Sequence, residues 1–178
     1  MTTIDPTSPA TPGPHGLRVV QVPFDDVRAA RLRDDMDREM TARYRDPDVV
    51  EPADLVAARA AALHLTPEVV VATLLVLDES ERAVGHAALR RRGDDWEVKR
   101  VVVVDGQRGR GIGRLLMAEV ERLAREAGRP RLVLQTGVRQ PEAVALYEKI
   151  GYTPVPLIDE YAATMPASLM YEKVLDRA

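Results

Sequence analysis

The run Val101-Val102-Val103-Val104 leads directly into Asp105-Gly106-Gln107-Arg108-Gly109-Arg110-Gly111-Ile112-Gly113. Four successive β-branched apolar residues present no polar face to water, so they predict a buried central strand. The segment from Gly111 to Ala127 then carries Ile112, Leu116, Val120, Leu123 and Ala127 on one stripe at helical spacing. Gly128 caps that helix and Pro130 prevents its continuation. Arg131 to Gln135 reads as another strand. A strand, a helix and a strand in this order demand a parallel crossover, because a hairpin cannot hold a helix between its strands.

The rest of the chain fits around that unit. Residues 1 to 16 are rich in Thr and Pro, bury little, and are expected to form a flexible tail. Residues 17 to 178 then form one domain. Leu17 to Val22 reads as a short strand. Asp25 to Tyr44 reads as a helix, with Leu32, Met36, Met40 and Tyr44 at spacing four, and Pro47 breaks it. Pro52 to Leu63 reads as a second helix with proline in its first turn. Val69 to Leu77, Ala83 to Arg90 and Trp96 to Val104 read as an antiparallel meander with polar turns between them. Pro141 to Ile150 reads as a helix ended by Gly151, and Tyr152 to Val155 and Leu169 to Val174 as strands. The whole is an α/β (α+β) chain with a mixed, mostly antiparallel, twisted sheet.

The glycine-rich loop has the chemistry of an anion site. Alternating glycines let the backbone turn tightly and let a ligand approach without Cβ clashes. The free N–H groups and dipole of the helix start suit a pyrophosphate, and Arg108, Arg110 and Arg114 add positive charge. A Walker loop needs a Lys-Ser or Lys-Thr that this segment lacks. A dinucleotide fingerprint needs a different glycine spacing and an earlier place in the fold.

Composition removes other classes. The chain has no cysteine, which excludes disulfides, thiolate metal sites and a cysteine nucleophile. His15, His64 and His86 show no ligand spacing, so no metal is expected. A formal net charge of -3 gives no basic footprint, so neither nucleic acid nor an anionic membrane surface is an expected partner. With no apolar run long enough for a membrane span and no secretory signal, the expected location is the cytoplasm. The preponderance of arginine over lysine reads as a GC-rich bacterial coding bias.

Arg108-Gly109-Arg110-Gly111-Ile112-Gly113 after a strand resembles the central motif of the GNAT superfamily of N-acetyltransferases. A second segment at that family's spacing strengthens the resemblance: Gln140-Pro141-Glu142-Ala143-Val144-Ala145-Leu146-Tyr147-Glu148-Lys149-Ile150-Gly151-Tyr152 is similar to its N-x-x-A-x-x-L-Y-x-x-x-G-F pattern. Gln140 stands for Asn, Tyr152 for Phe, and Asp105 for a usual Pro. Glu97-x-Lys99-Arg100 with Leu134-Gln135-Thr136-Gly137 looks like a bacterial subgroup of small-molecule or peptide acetyltransferases. The resemblance implies a sheet splayed between its fourth and fifth strands, with helices on both faces. It implies acetyl-CoA as co-substrate and no metal. The pyrophosphate would lie on Arg108, Gly109, Arg110, Gly111, Ile112, Gly113 and Arg114. Pantetheine would lie along the backbone of Val101, Val102 and Val103, and Gln140 belongs to the same site.

Acyl transfer to an amine needs a neutral nucleophile, a polarised carbonyl and a protonated leaving thiolate. Glu97, at the start of the cofactor strand, is the candidate base, directly or through a water. Tyr147 is the candidate acid, since a phenol stays protonated at neutral pH. His86 lies mid-strand, where it either faces the acceptor or serves the core. The acceptor is expected to be an amine on a small molecule or peptide, chosen by residues 25 to 63 and 154 to 166. A homodimer is common among such relatives. A non-catalytic acyl-CoA-binding module with the same fold is the alternative.

Overall fold

Val101 to Val103 of the valine run end the fifth strand of an eight-stranded sheet in a computed structural model that describes residues 10–176. The first five strands form an antiparallel series: β1 (Thr11–Pro12), β2 (Arg18–Val22), β3 (Val70–Leu77), β4 (Ala83–Arg92) and β5 (Asp95–Val103). β5 then pairs in parallel with β6 (Arg131–Gly137), as the crossover requires. β6 pairs antiparallel with β8 (Ser168–Val174), and β7 (Thr153–Val155) closes that edge. The helices are α1 (Val27–Tyr44), α2 (Ala53–Leu63), α3 (Ile112–Glu126), α4 (Pro141–Lys149) and α5 (Asp159–Thr164).

Each face of the sheet has its own core. The α3 stripe, Ile112, Leu116, Val120 and Leu123, is buried against Leu74, Leu89, Trp96, Val98, Leu132 and Leu134. On the other face Ala29 and Leu32 of α1 cover Val22, Leu75 and Leu77. The side chains of α1 beyond Leu32 behave differently. Met36, Met40 and Tyr44 continue the stripe but are only half-buried, because α1 runs off the core and over a cleft. Among the described residues no helix is long and apolar enough to cross a membrane.

That cleft arises where β5 leaves β6. The two strands pair only at Trp96↔Leu132, Glu97↔Val133 and Val98↔Leu134. Just past the last of these, β5 carries a bulge. His86 of β4 faces Val102, but Ala88 faces Lys99, so β5 holds one residue more than β4 over the same span. Arg100 takes up the extra length with φ of 56°, a left-handed value uncommon for a residue with a side chain. Beyond it Val101, Val102 and Val103 are half-buried, not enclosed as their composition predicts, because one side of their strand faces the opening.

Two elements differ from expectation. Residues 11–12, assigned to a tail, pair with β2, and Thr11 donates a hydrogen bond to Glu119 of α3 at 3.1 Å. Residues 1–9 of that expected tail lie outside the described residues. The added strand makes the splay fall between the fifth and sixth strands in place of the fourth and fifth. The segment 154–166 contains the short helix α5, which no periodicity announced.

Candidate active site

The opening between β5 and β6 is a cleft of about 420 Å³. Its walls come from both faces of the sheet: Met36, Glu39 and Met40 of α1 on one side, Ile112 and Gly113 of α3 with Ala143, Leu146 and Tyr147 of α4 on the other. Val101, Val102 and Val103 form its long edge, and Gln107, Arg108, Gly109, Gly111 and Arg114 close one end.

The glycine loop owes its shape to two requirements. Gly109 and Gly111 have φ of 81° and 82°, and no protein atom lies within 4 Å of where their Cβ atoms would stand. Bare, left-handed backbone thus faces the cleft at the N-terminus of α3, where unpaired N–H groups collect. Gly113 serves packing instead: a Cβ there would meet Leu146 Cδ2 at 2.9 Å, so its absence lets α4 approach α3. Arg108 reaches Glu39 of α1 at 3.0 Å, and Glu39 and Glu142 are both engaged by Arg43. Of the residues expected to bind a CoA compound, Val101, Val102, Val103, Arg108, Gly109, Gly111, Ile112, Gly113, Arg114 and Gln140 line the cleft. Arg110 does not; it turns outward to the Gln107 side chain.

Tyr147 lies in the cleft wall, buried at 6% exposure, with its ring tilted against those of Tyr152 and Tyr171. Burial raises its phenol above the ordinary value, so it holds its proton throughout the neutral range. Among the described residues no side chain claims its hydroxyl, which leaves that proton free for a ligand.

Glu97 is elsewhere. It is fully enclosed on the α1 face and absent from the cleft wall. Its carboxylate accepts from Arg90 Nε at 2.8 Å and from the Tyr161 hydroxyl at 2.6 Å, with Lys99 Nζ 3.6 Å away. The Tyr161 oxygen in turn accepts from Arg90 at 2.8 Å and Lys99 at 3.1 Å. Burial alone would raise the Glu97 carboxyl, but Lys99, Arg90 and the Tyr161 hydroxyl together hold it below its ordinary value. A carboxylate so held is a weak base, and its placement argues against direct contact with an amine in the cleft. The same burial pulls the Lys99 ammonium down to about 8, against the pull of Glu97. Sequence reasoning missed this cluster because Arg90 and Tyr161 are 71 residues apart and nothing local couples them.

A sheet splayed at a bulge, with a glycine-turned helix N-terminus at one end of the opening, is a mixed α/β architecture with a cleft suited to an anionic ligand. The sequence profile of the acetyltransferase (GNAT) family matches residues 30–152, and the chain belongs to that family. An IAA acetyltransferase of Azospirillum brasilense is 41% identical over 91 residues, 51% of this chain. That match spans 59% of the relative's own length. A candidate acyl-CoA N-acyltransferase of Klebsiella pneumoniae superposes over 90% of this chain and 98% of its own, with a TM-score of 0.71 and 25% identity. A candidate streptothricin acetyltransferase of Bacillus anthracis, solved with acetyl coenzyme A, matches 59% of this chain and 63% of its own, with a TM-score of 0.53 and 19% identity. At that identity the likeness concerns the fold alone.

Proposed function

We propose that the protein transfers an acetyl group from acetyl-CoA to a primary amine of a small molecule or peptide, by direct attack within a ternary complex. The observation that carries this reading is the cleft itself, with a bare-backbone anion cradle at one end and a buried, protonated phenol in its wall. The residues fit the co-substrate. Main-chain N–H groups from Gly109 to Gly113, with Arg108 and Arg114, suit its pyrophosphate. For Arg108 to engage it, the contact with Glu39 has to yield. The unpaired edge of Val101 to Val103 suits the amides of pantetheine, as an added strand. A main-chain N–H near Val102 or Val103 polarises the thioester carbonyl and holds the developing oxyanion. Tyr147 donates its proton to the departing thiolate. The amine proton leaves through water in the open cleft, with Glu97 acting at most through such a water.

The acceptor lies against α1, whose Met36, Glu39 and Met40 line the cleft; the segment 154–166, which falls beyond the family match, contributes no residue to that lining. The acceptors in the relatives' names belong to those proteins. The testing experiment is an amine panel assayed for acetyl-CoA-dependent CoA release, with Gly111→Asp as control. Release with at least one amine, lost in a folded Gly111→Asp, supports the proposal. Tight acetyl-CoA binding with no release across a wide panel points to a non-catalytic acyl-CoA-binding module.

A further inference from the structure

We propose that His86 is a positioning residue for the acetyl-CoA site: its imidazole fixes the β5 bulge, and the bulge aims the Val101–Val103 backbone into the cleft. The bulge needs a holder. Arg100 is held in the left-handed region at the point where β5 parts from β6, a conformation that persists only when its surroundings over-determine it. The carbonyl of Arg100 accepts a hydrogen bond from His86 Nδ1 at 2.8 Å.

The ring's own state follows from its neighbours. His86 is fully buried on β4. A carbonyl can only accept, so Nδ1 carries the ring proton. The other nitrogen, Nε2, faces Arg33 Nη1 of α1 at 3.4 Å. A guanidinium can only donate, so Nε2 must present its lone pair. One tautomer of the neutral ring satisfies both partners. Arg33 is itself anchored, donating to the Phe24 carbonyl at 2.8 Å and lying 4.3 Å over the Phe24 ring. Arg100 is tied from its other end as well, its guanidinium meeting Asp37 of α1. The bulge is therefore pinned by its carbonyl to β4 and by its side chain to α1. His86 is absent from the cleft lining, so any effect on acetyl-CoA passes through the backbone it holds.

This inference rests on the acetyl-CoA reading of the cleft, and the experiment separates the two. Acetyl-CoA affinity is measured by calorimetry for wild type, His86→Leu and His86→Asn, with melting temperatures alongside. Leucine fills space without a donor; the asparagine amide nitrogen stands near the Nδ1 position and can still donate to the Arg100 carbonyl. His86→Leu is expected to weaken acetyl-CoA by about 10-fold or more, and His86→Asn by no more than about 3-fold, although both lose thermal stability. Equal affinities for the two variants, or wild-type affinity in His86→Leu, overturn the positioning role. A wild-type protein that does not bind acetyl-CoA overturns the reading of the cleft, and this inference with it. Nitrogen-correlated NMR of the wild-type protein gives a readout independent of folding in the variants. A ring proton on Nδ1 supports the arrangement, and one on Nε2 overturns it.

Discussion

Tyr147 lies in the cleft wall with no side-chain partner for its hydroxyl among the described residues, and a departing thiolate needs a proton; burial keeps that proton on the phenol at neutral pH and makes its transfer the step to test. Tyr147→Phe keeps the ring among Tyr152 and Tyr171 and removes only the donor. The expected outcome is unchanged acetyl-CoA affinity and a turnover lower by roughly 10- to 1000-fold where proton transfer limits. Single-turnover kinetics check that chemistry is the step affected; a wild-type rate of the chemical step removes Tyr147 from the role. His86 supports a second prediction, on stability. Burial first, and the nearby Arg33 and Arg100 next, lower its pKa from 6.5 to about 4. Between those values the unfolded chain binds the extra proton and the folded chain does not, so stability rises with pH there. The contribution is present above about pH 6.5 and is lost as pH falls toward about 4, a difference on the order of 3 kcal/mol. Denaturant unfolding of wild type and His86→Asn at about pH 7 and about pH 5 checks it, since the variant should lose much of the difference. An equal difference in stability between the two pH values for both proteins removes His86 as the source.

At the scale of elements, α5 is held to the sheet by Tyr161, whose oxygen meets Glu97, Arg90 and Lys99 together. Glu97→Gln leaves both cations without their carboxylate. Loss of one member of a buried charge cluster costs about 3 kcal/mol or more, so the variant should melt at lower temperature while keeping the acidic limb of its pH–rate profile. If Glu97 also takes the amine proton, that limb vanishes along with the stability, so the pH–rate profile, read on folded variant, tells the two roles apart. The same cluster explains what could be read from residues and what could not. Ile112, Leu116, Val120 and Leu123 carry their burial in their spacing, and α3 was legible to within a residue or so. The glycine loop was legible because left-handed backbone and close packing both demand glycine, although the sequence does not separate Gly111, needed for its φ, from Gly113, needed for the Leu146 contact. Met36 and Met40 share a period with Leu32, yet they line the cleft, since periodicity reports a face and not what covers it. The six residues of α5 are too few for a period to register. The bulge at Arg100 had no local signal at all; the side chain that meets its carbonyl is a histidine on the neighbouring strand.

The whole molecule opens a cleft through the plane of its sheet, and the proposed ternary complex needs room there for two substrates. The cleft is walled by α1 on one face and by α3 and α4 on the other, because β5 and β6 separate after three paired positions. In the proposed arrangement a ligand held by the glycine loop at one end leaves the stretch of cleft beside Met36 and Met40 of α1 for an acceptor. Both can therefore be present at once, and neither has to leave for the other to bind. A relayed reaction would instead need a side chain to carry the acetyl group. The chain has no cysteine, and among the described residues the cleft wall contains no serine, threonine, lysine or histidine. Tyr147 is its only hydroxyl-bearing side chain, and a phenol so firmly protonated is a poor nucleophile. The wall's two carboxylates, Glu39 and Glu142, are both engaged by Arg43, which supports the proposed direct attack of the amine on the thioester. Initial rates with acetyl-CoA and amine both varied should give intersecting lines in a double-reciprocal plot, and intact mass spectrometry after incubation with acetyl-CoA alone should detect no acetyl adduct on the cleft residues. Parallel lines together with such an adduct would mean that the acetyl group passes through the protein, and the ternary complex would have to be abandoned.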